Sequence, residues 1–347
     1  MNMGGNALRQ PSCRLNKQEL LGLIVNFNNE IGEPFKSTSS GVTAFRPIPF
    51  YTSKDSFGDL DMVVMCGSRD WERLLDDLKK KYPDHSKNGN VFSFGVDVGK
   101  ETPFQIDLIY VGETREESRI ALTYFAFNDL GNLMGRIYHR AGFKYGHQGL
   151  LRVVRDEENS DHIIDEVLVT NEPREIFEFG GYDFAEFLEG FRTREDIFNY
   201  VASSPYFNRE IYLFENRNAK ARMRDSKRVI YNEFLKWCSE SDDLPEFYSE
   251  DKEEFRREQL QLALEKFPEF RVRYEGALKK LLKSKTINEK FNGSIVAEVT
   301  GLSGRDLGLF IREFKSKWSD DDLFVLSKEV IKVLIREAHS ERTKNYI

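Results

Sequence analysis

The sequence predicts an α+β chain: a mixed sheet flanked by helices, followed by a mainly helical C-terminal domain. Three observations point there. Runs of alternating apolar residues, "DLDMVVM", "NVFSFGVDVG" and "FQIDLIYV", gather between residues 59 and 111 and read as strands. Between the first two, "SRDWERLLDDLKKKY" places its apolar residues at helical spacing. Beyond about Leu213 the alternation disappears, and helical periodicity and charge run to the end.

The elements follow in order. "LNKQELLGLIVNFNNEIG" (Leu15–Gly32) is helical, with Asn16 placed to cap it. "VTAFRPIPFY" reads as a strand whose two prolines suit an edge or a bend. Ser68 is the expected N-cap of the "SRDWERLL" helix. "SRIALTYFAFNDLGNLMGRIYHRAG" is helical with a break near Phe127–Asn132, and "GLLRVVRD" pairs with "IIDEVLVT" as two strands. Thr193, with Asp196 three positions on, opens a helix through a near capping box. The basic stretch "FENRNAKARMRDSKR" marks a boundary at residues 213–228. The expected domains are 1–44 (a helical segment), 45–115 (the sheet), 116–212 (a second subdomain) and 213–347 (helical).

The chain has 347 residues, 40% of them hydrophobic, which is ample for one large domain or two. No apolar stretch approaches the roughly 20 residues a membrane span needs. No signal-peptide pattern follows the start. The expected setting is the cytoplasm, with no membrane partner. Cys13, Cys66 and Cys238 are scattered, which argues against a disulfide framework or a thiolate zinc site. The five histidines show no zinc spacing, and His147 reads as a loop residue. A net charge of −7 speaks against indiscriminate coating of nucleic acid but leaves room for a local basic groove.

The chemistry lies in "SFGDLDMVV" and "FQIDLIYV". Alternate strand residues share a face, so Asp59 and Asp61 point one way and Leu60 and Met62 the other. In the second strand Asp107 lies opposite Phe104, Ile106, Leu108 and Tyr110. If the strands are neighbours, three carboxylates converge and repel one another unless cations join them. Hard divalent cations are the natural partners, and Mg²⁺ combines carboxylates with substrate phosphates. The plain alternative is a polar turn at a strand entry.

"SFGDLDMVV" followed by "FQIDLIYV" resembles the palm of the polymerase β nucleotidyltransferase superfamily, most closely the X-family DNA polymerases. "LTYFAFNDLGNLMGRIYHRAGF" and "FRTREDIFNYVASSPY" resemble later segments of that family, so the likeness covers roughly residues 45–210. It implies a palm at 45–115 and a nucleotide and primer-end subdomain at 116–212. It also implies that Asp59, Asp61 and Asp107 bind two Mg²⁺ ions, with Mn²⁺ as an alternative, and that Asp107 helps activate a primer 3′-hydroxyl. Tyr124 and Phe125 would lie against the nucleotide sugar, Asp129 over the incoming base, Asn132 at its minor-groove edge and Arg136 beneath the templating base. For Tyr124 and Phe125 the alternative is ordinary core, and for Asp129 and Asn132 a helix-breaking turn. The family's phosphate-holding Gly-Ser is absent. Ser53, Lys54 and Arg46 are the available substitutes. "MGGNAL" carries a Gly-Gly but lies far from Asp59 in sequence.

At helical spacing Arg217, Lys220, Arg224 and Lys227 or Arg228 share a face, with Arg222 in the same stretch. With "LKKLLKSK" (278–285) they suggest contact with a nucleic-acid backbone, against the alternative of solvated helix faces. Gly301, Gly304 and Gly308 punctuate a turn into a helix whose first N–H groups are candidates for a phosphate. That stretch resembles the C-terminal tail of CCA-adding tRNA nucleotidyltransferases. The expected activity is transfer of a nucleoside monophosphate from a (d)NTP to a DNA or RNA 3′ end. The alternatives are an RNA- or tRNA-tailing enzyme and a catalytically inactive palm that binds nucleic acid.

Overall fold

The strands expected between residues 59 and 111 join one five-stranded mixed sheet. The structure, a computed structural model, describes residues 7–39, 41–155, 163–248 and 251–344. It opens with a two-residue strand β1 (Leu15–Asn16), then α1 (Lys17–Phe27), a π-helical turn (Asn28–Gly32) and α2 (Glu33–Thr38). β2 (Ala44–Pro47), β3 (Ser56–Phe57), β4 (Asp59–Met65), α3 (Ser68–Lys81), β5 (His85–Asn88), β6 (Val91–Val96) and β7 (Phe104–Gly112) follow. The sheet order is β2-β4-β7-β6-β5, with β4 and β7 parallel and the other neighbours antiparallel. β3 pairs with β1 instead. The predicted strand over 42–51 shortens to Ala44–Pro47, and it is an edge strand, where proline is tolerated.

One sheet face is apolar. Leu60, Met62, Val64, Phe92, Phe94, Phe104, Ile106 and Leu108 are buried there against Trp71, Leu74, Leu75 and Leu78 of α3. Each such side chain stabilises the fold by about 1.5–3 kcal/mol when fully buried. Phe27 and Phe35 of the N-terminal helices set their rings edge-on to Phe45 of β2, at 5.4 and 6.1 Å. Asn16 caps α1 in a full capping box with Glu19. α3 differs from expectation at its start: Gly67 is the N-cap and makes no side-chain bond, while Ser68 is already helical.

The chain continues through α4 (Arg115–Phe125), α5 (Leu130–Arg140), β8 (Phe143–Gly146), β9 (Gly149–Arg155) and β10 (Ile163–Thr170). The predicted pair β9–β10 forms, joined by β8, in the order β10-β9-β8. Then come α6 (Pro173–Phe179), α7 (Phe184–Glu189), α8 (Arg194–Ala202), α9 (Ala219–Asp225), α10 (Val229–Glu240), α11 (Lys252–Lys266) and α12 (Pro268–Lys290). The capping box of Thr193 and Asp196 opens α8 as expected. The last helices are α13 (Gly293–Thr300), α14 (Gly304–Lys317), α15 (Asp320–Val325) and α16 (Lys328–Lys344).

Contacts divide the chain into two compact units, residues 1–153 with 168–270, and 154–167 with 271–347. The boundary expected at 213–228 therefore falls inside the first unit. The reason is aromatic packing: Phe234 of α10 lies 4.9 Å from Tyr212 and 5.3 Å from Phe198, and all three are buried. The second unit has its own core of Ile287, Phe291, Val296, Phe310, Phe314, Leu323, Ile331 and Ile335. No helix among the described residues is long and apolar enough to cross a membrane.

Candidate active site

The parallel register of β4 and β7 sets Asp61 beside Asp107 and Asp59 beside Gln105. All four residues lie on the sheet face opposite the core, as the two-residue period of each strand requires. The three carboxylates interact: burial raises the Asp61 carboxyl well above its usual value, and the charges of Asp59 and Asp107 raise it further. Among the described residues, however, no three Asp, Glu, His or Cys side chains are gathered closely enough to grip a metal ion as they stand.

Asp107 is instead held by its neighbour. Gln105 Nε2 donates to both carboxylate oxygens, at 2.9 and 3.0 Å, and Gln105 Oε1 accepts the Ala7 N–H at 2.9 Å. Ser12 accepts the Gln105 N–H and donates to the Gly58 carbonyl, at 2.9 and 2.7 Å. The stretch after "MGG" thus reaches the carboxylate strand despite its distance in sequence. Gly4 and Gly5 themselves lie outside the described residues. Sequence reasoning passed over Gln105, although the spacing i, i+2 places it on the same face as Asp107.

Burial pushes the Asp107 carboxyl up to about 6, with Asp59 adding to the rise and hydrogen bonds from Ser93 and Gln105 opposing it. An unfolded aspartate titrates near 3.9, so the folded state binds this proton more tightly. The resulting stabilisation is complete below about pH 4 and is lost as pH rises through about 6. The thermal midpoint of EDTA-treated protein is therefore expected to fall between about pH 4 and 6 and to level off above. Asp107→Asn, which imitates the protonated form, should remove much of that fall. An identical pH profile in the two proteins would contradict the strained carboxylate.

A cleft of about 390 Å³ opens over this face, lined among others by Asp59, Asp61, Lys54, Phe125, Asn128 and Arg228. Lys54 and Arg228 are its two lining cations. Burial lowers the Lys54 ammonium despite the charges of Asp59 and Asp61 beside it. Arg228 precedes α10 and is held by an ion pair to Asp129, with Asp225 3.7 Å away. α10 is anchored in turn: Arg194 of α8 donates to Glu233 of α10 at 2.5 and 2.6 Å, and to the Tyr51 hydroxyl at 2.9 Å.

The predicted helix break spans Ala126–Asp129, so Asn132 is already helical. Phe127 and Asn128 have φ of 56° and 64°. Asparagine tolerates that conformation, but phenylalanine does so at a cost of about 1–2 kcal/mol. Its buried ring, edge-on to Phe187 and Phe191, and its N–H bond to the Pro49 carbonyl hold it there. The turn brings Phe125 and Asn128 to the cleft. Tyr124 sits behind, edge-on to Phe125 and Tyr145, and the Phe125 ring stacks on His147 in the β8–β9 turn.

Other predicted residues lie elsewhere. Ser53 and Arg46 are exposed and do not line the cleft. Asp129 reaches it only through Arg228. Asn132 does not line it, and its buried Nδ2 has no partner. Arg136 opens onto a different cleft, beside His139 and Arg140.

The basic face expected over 217–228 is also revised. α9 begins at Ala219, so Arg217 lies outside the helix. Arg217 is buried, bound to Asp225 and, at 2.5 Å, to the Tyr231 hydroxyl, so it cannot contact a polynucleotide. Lys220, Arg222, Arg224 and Lys227 remain exposed. Of the second basic stretch, Lys280 pairs with Asp165 and Lys283 with Asp321. Gly301 ends α13 in the left-handed region and Gly304 opens α14, whose first turn carries Asp306. That carboxylate already complements the helix N-terminus.

No known family model matches the chain, and no curated protein matches it.

Proposed function

We propose that the protein is a nucleotidyltransferase that moves a nucleoside monophosphate from a nucleoside triphosphate to the 3′-hydroxyl of a polynucleotide. The observation that carries this reading is that Asp59, Asp61 and Asp107 share one face of two adjacent parallel strands, with Asp59 and Asp61 lining a cleft that Lys54 and Arg228 also line. An all-oxygen donor set with raised carboxyl values fits hard divalent cations. Asp59, Asp61 and Asp107 would hold Mg²⁺, or Mn²⁺ in its place. When bound, these ions would neutralise the phosphates and stabilise the charge developing on the attacking and leaving oxygens.

The chain's own groups account for the rest. Asp107 takes the proton from the 3′-hydroxyl, as its place beside Asp61 on the neighbouring strand allows. The 3′ oxygen then bonds to the α-phosphorus, and the bond from that phosphorus to the bridging oxygen breaks, releasing pyrophosphate. Gln105 fixes the orientation of Asp107. Phe125 offers an apolar wall to the nucleotide. Lys54 and Arg228 take the role of the missing Gly-Ser at the β- and γ-phosphates, which makes Arg228 a nucleotide ligand rather than part of a polynucleotide track.

Two measurements follow. Purified protein with Mg²⁺ should extend labelled DNA or RNA primers with at least one of the eight common nucleotides. No incorporation on any primer by folded protein would overturn the reading. Charge-assisted hydrogen bonds contribute about 1.5–3 kcal/mol. Arg228→Ala should therefore weaken triphosphate binding roughly 10- to 100-fold. Monophosphate binding should change little, and Arg228→Lys should recover part of the loss. Equal losses for mono- and triphosphate would remove Arg228 from the phosphate end.

A further inference from the structure

The second cleft, about 440 Å³, is lined by Arg136, His139, Arg140, Glu210, Tyr248 and Lys252 with Asn208, Ile211 and Asn216 between them. Its cations differ from their neighbours. Arg209 pairs with Glu246, and Arg256 with Glu253. Among the described residues Arg136, Arg140 and Lys252 form no ion pair with a carboxylate, in a chain that carries a net charge of −7. Arg136 donates only to the Ile211 carbonyl, at 3.2 Å, and its buried Nε has no acceptor. Arg140 is fixed by a 3.2 Å bond to the Phe247 carbonyl and by the rings of Phe247 and Phe255, 5.2 and 5.9 Å away. Lys252 opens α11 and is exposed. Glu210 is the single lining carboxylate. Beside these cations stands Tyr248, 76% exposed, where a large aromatic ring gains nothing from solvent.

Unpaired cations around a groove, with an exposed aromatic ring at its side, are the two parts of a single-strand binding surface: charge follows the backbone, and the ring stacks on a base. We propose that this cleft holds a backbone phosphate of single-stranded nucleic acid, with Tyr248 stacked on an adjoining base. The local field agrees. The His139 imidazole is pushed down to about 4 by burial first and then by the charges of Arg136, Arg256, Lys252 and Arg217 around it, while Glu210 is the carboxylate whose charge reaches Arg140. The inference rests on the proposed reaction, which needs a polynucleotide, but its test requires no turnover.

The test is fluorescence anisotropy of labelled 12-mer oligo(dT) and oligo(U) on the full chain, across a salt series, with inorganic pyrophosphate as a separate titrant. Tyr248→Ser should weaken oligonucleotide binding roughly 5- to 100-fold, the range expected for one stacked base. Lys252→Met should flatten the salt dependence by about 0.7, the value for one phosphate contact on a single strand. The side chains of both residues are exposed, so their loss leaves the core intact. Lys80→Met, on the exposed face of α3, should change neither quantity. The His139 ring resonances should shift when oligonucleotide is added. Unchanged affinity and salt slope in both variants would overturn the inference. So would pyrophosphate binding at His139 without oligonucleotide binding, which would assign the cleft to free phosphates. Extension activity together with unaffected variants defeats this inference alone. Variant-sensitive binding by a protein that never extends a primer defeats the reaction alone.

Discussion

Asp61→Ala and Asp107→Ala are each expected to lower nucleotide incorporation by about 10³-fold or more, and Asp61→Ala to leave the fold at least as stable as wild type. The rate loss follows from the role. Charge stabilisation in such a site contributes several kcal/mol, and each 1.4 kcal/mol is a factor of ten. The stability gain follows from the cost. Burial and the charges of Asp59 and Asp107 raise the Asp61 carboxyl, so removing it removes that repulsion, whereas Asp107→Ala also leaves the buried Gln105 Nε2 without its acceptor. A residue that served only the fold would show the opposite pairing, with stability lost and activity falling only as the folded fraction falls. Steady-state extension and thermal melts on the same preparations separate the two. Near wild-type incorporation in Asp107→Ala would remove the mechanism, whatever the melt showed.

Asp225→Ala is expected to destabilise the protein by about 3–5 kcal/mol, the usual cost of stranding the partner of a buried charge. Asp225 is fully buried and receives Arg217, itself 5% exposed, together with Arg224 at 2.9 Å. Arg217 also donates to the Tyr231 hydroxyl, which donates to the Tyr212 carbonyl at 2.7 Å. Taking away the carboxylate leaves a guanidinium in an aromatic core without its counter-charge. Denaturant unfolding should show a lower midpoint with an unchanged slope. The double variant Asp225→Ala, Arg217→Met should recover much of the loss, because the stranded charge has gone. A loss under about 1 kcal/mol in the single variant would mean that the pair is hydrated, as surface pairs are.

What could be read from the chain depended on how far each feature reaches in sequence. Asp59, Asp61 and Asp107 could be assigned to faces because strand alternation is local. The caps at Asn16 and Thr193 span three residues and were legible for the same reason. Pairing between β4 and β7 joins residues 46 or 47 positions apart, so adjacency of the carboxylates depends on packing that no local pattern reports. Arg217 was misplaced because helical spacing was extended past the start of α9, and the charge that buries it, Asp225, looked like one more polar residue. Arg136 opens away from the carboxylates because burial of Leu133, Met134 and Ile137 fixes the rotation of α5. The contact of Ala7 with Gln105 joins residues 98 positions apart, and no periodicity reports it.

The central claim is that three carboxylates on two parallel strands gather around divalent cations once a nucleotide is present. Anomalous diffraction from crystals soaked in Mn²⁺ and a non-hydrolysable triphosphate tests it most directly. The account predicts manganese peaks bounded by Asp59, Asp61 and Asp107, with Arg228 turned from Asp129 onto the phosphates. A triphosphate bound in that cleft with no peak among the three carboxylates would contradict it.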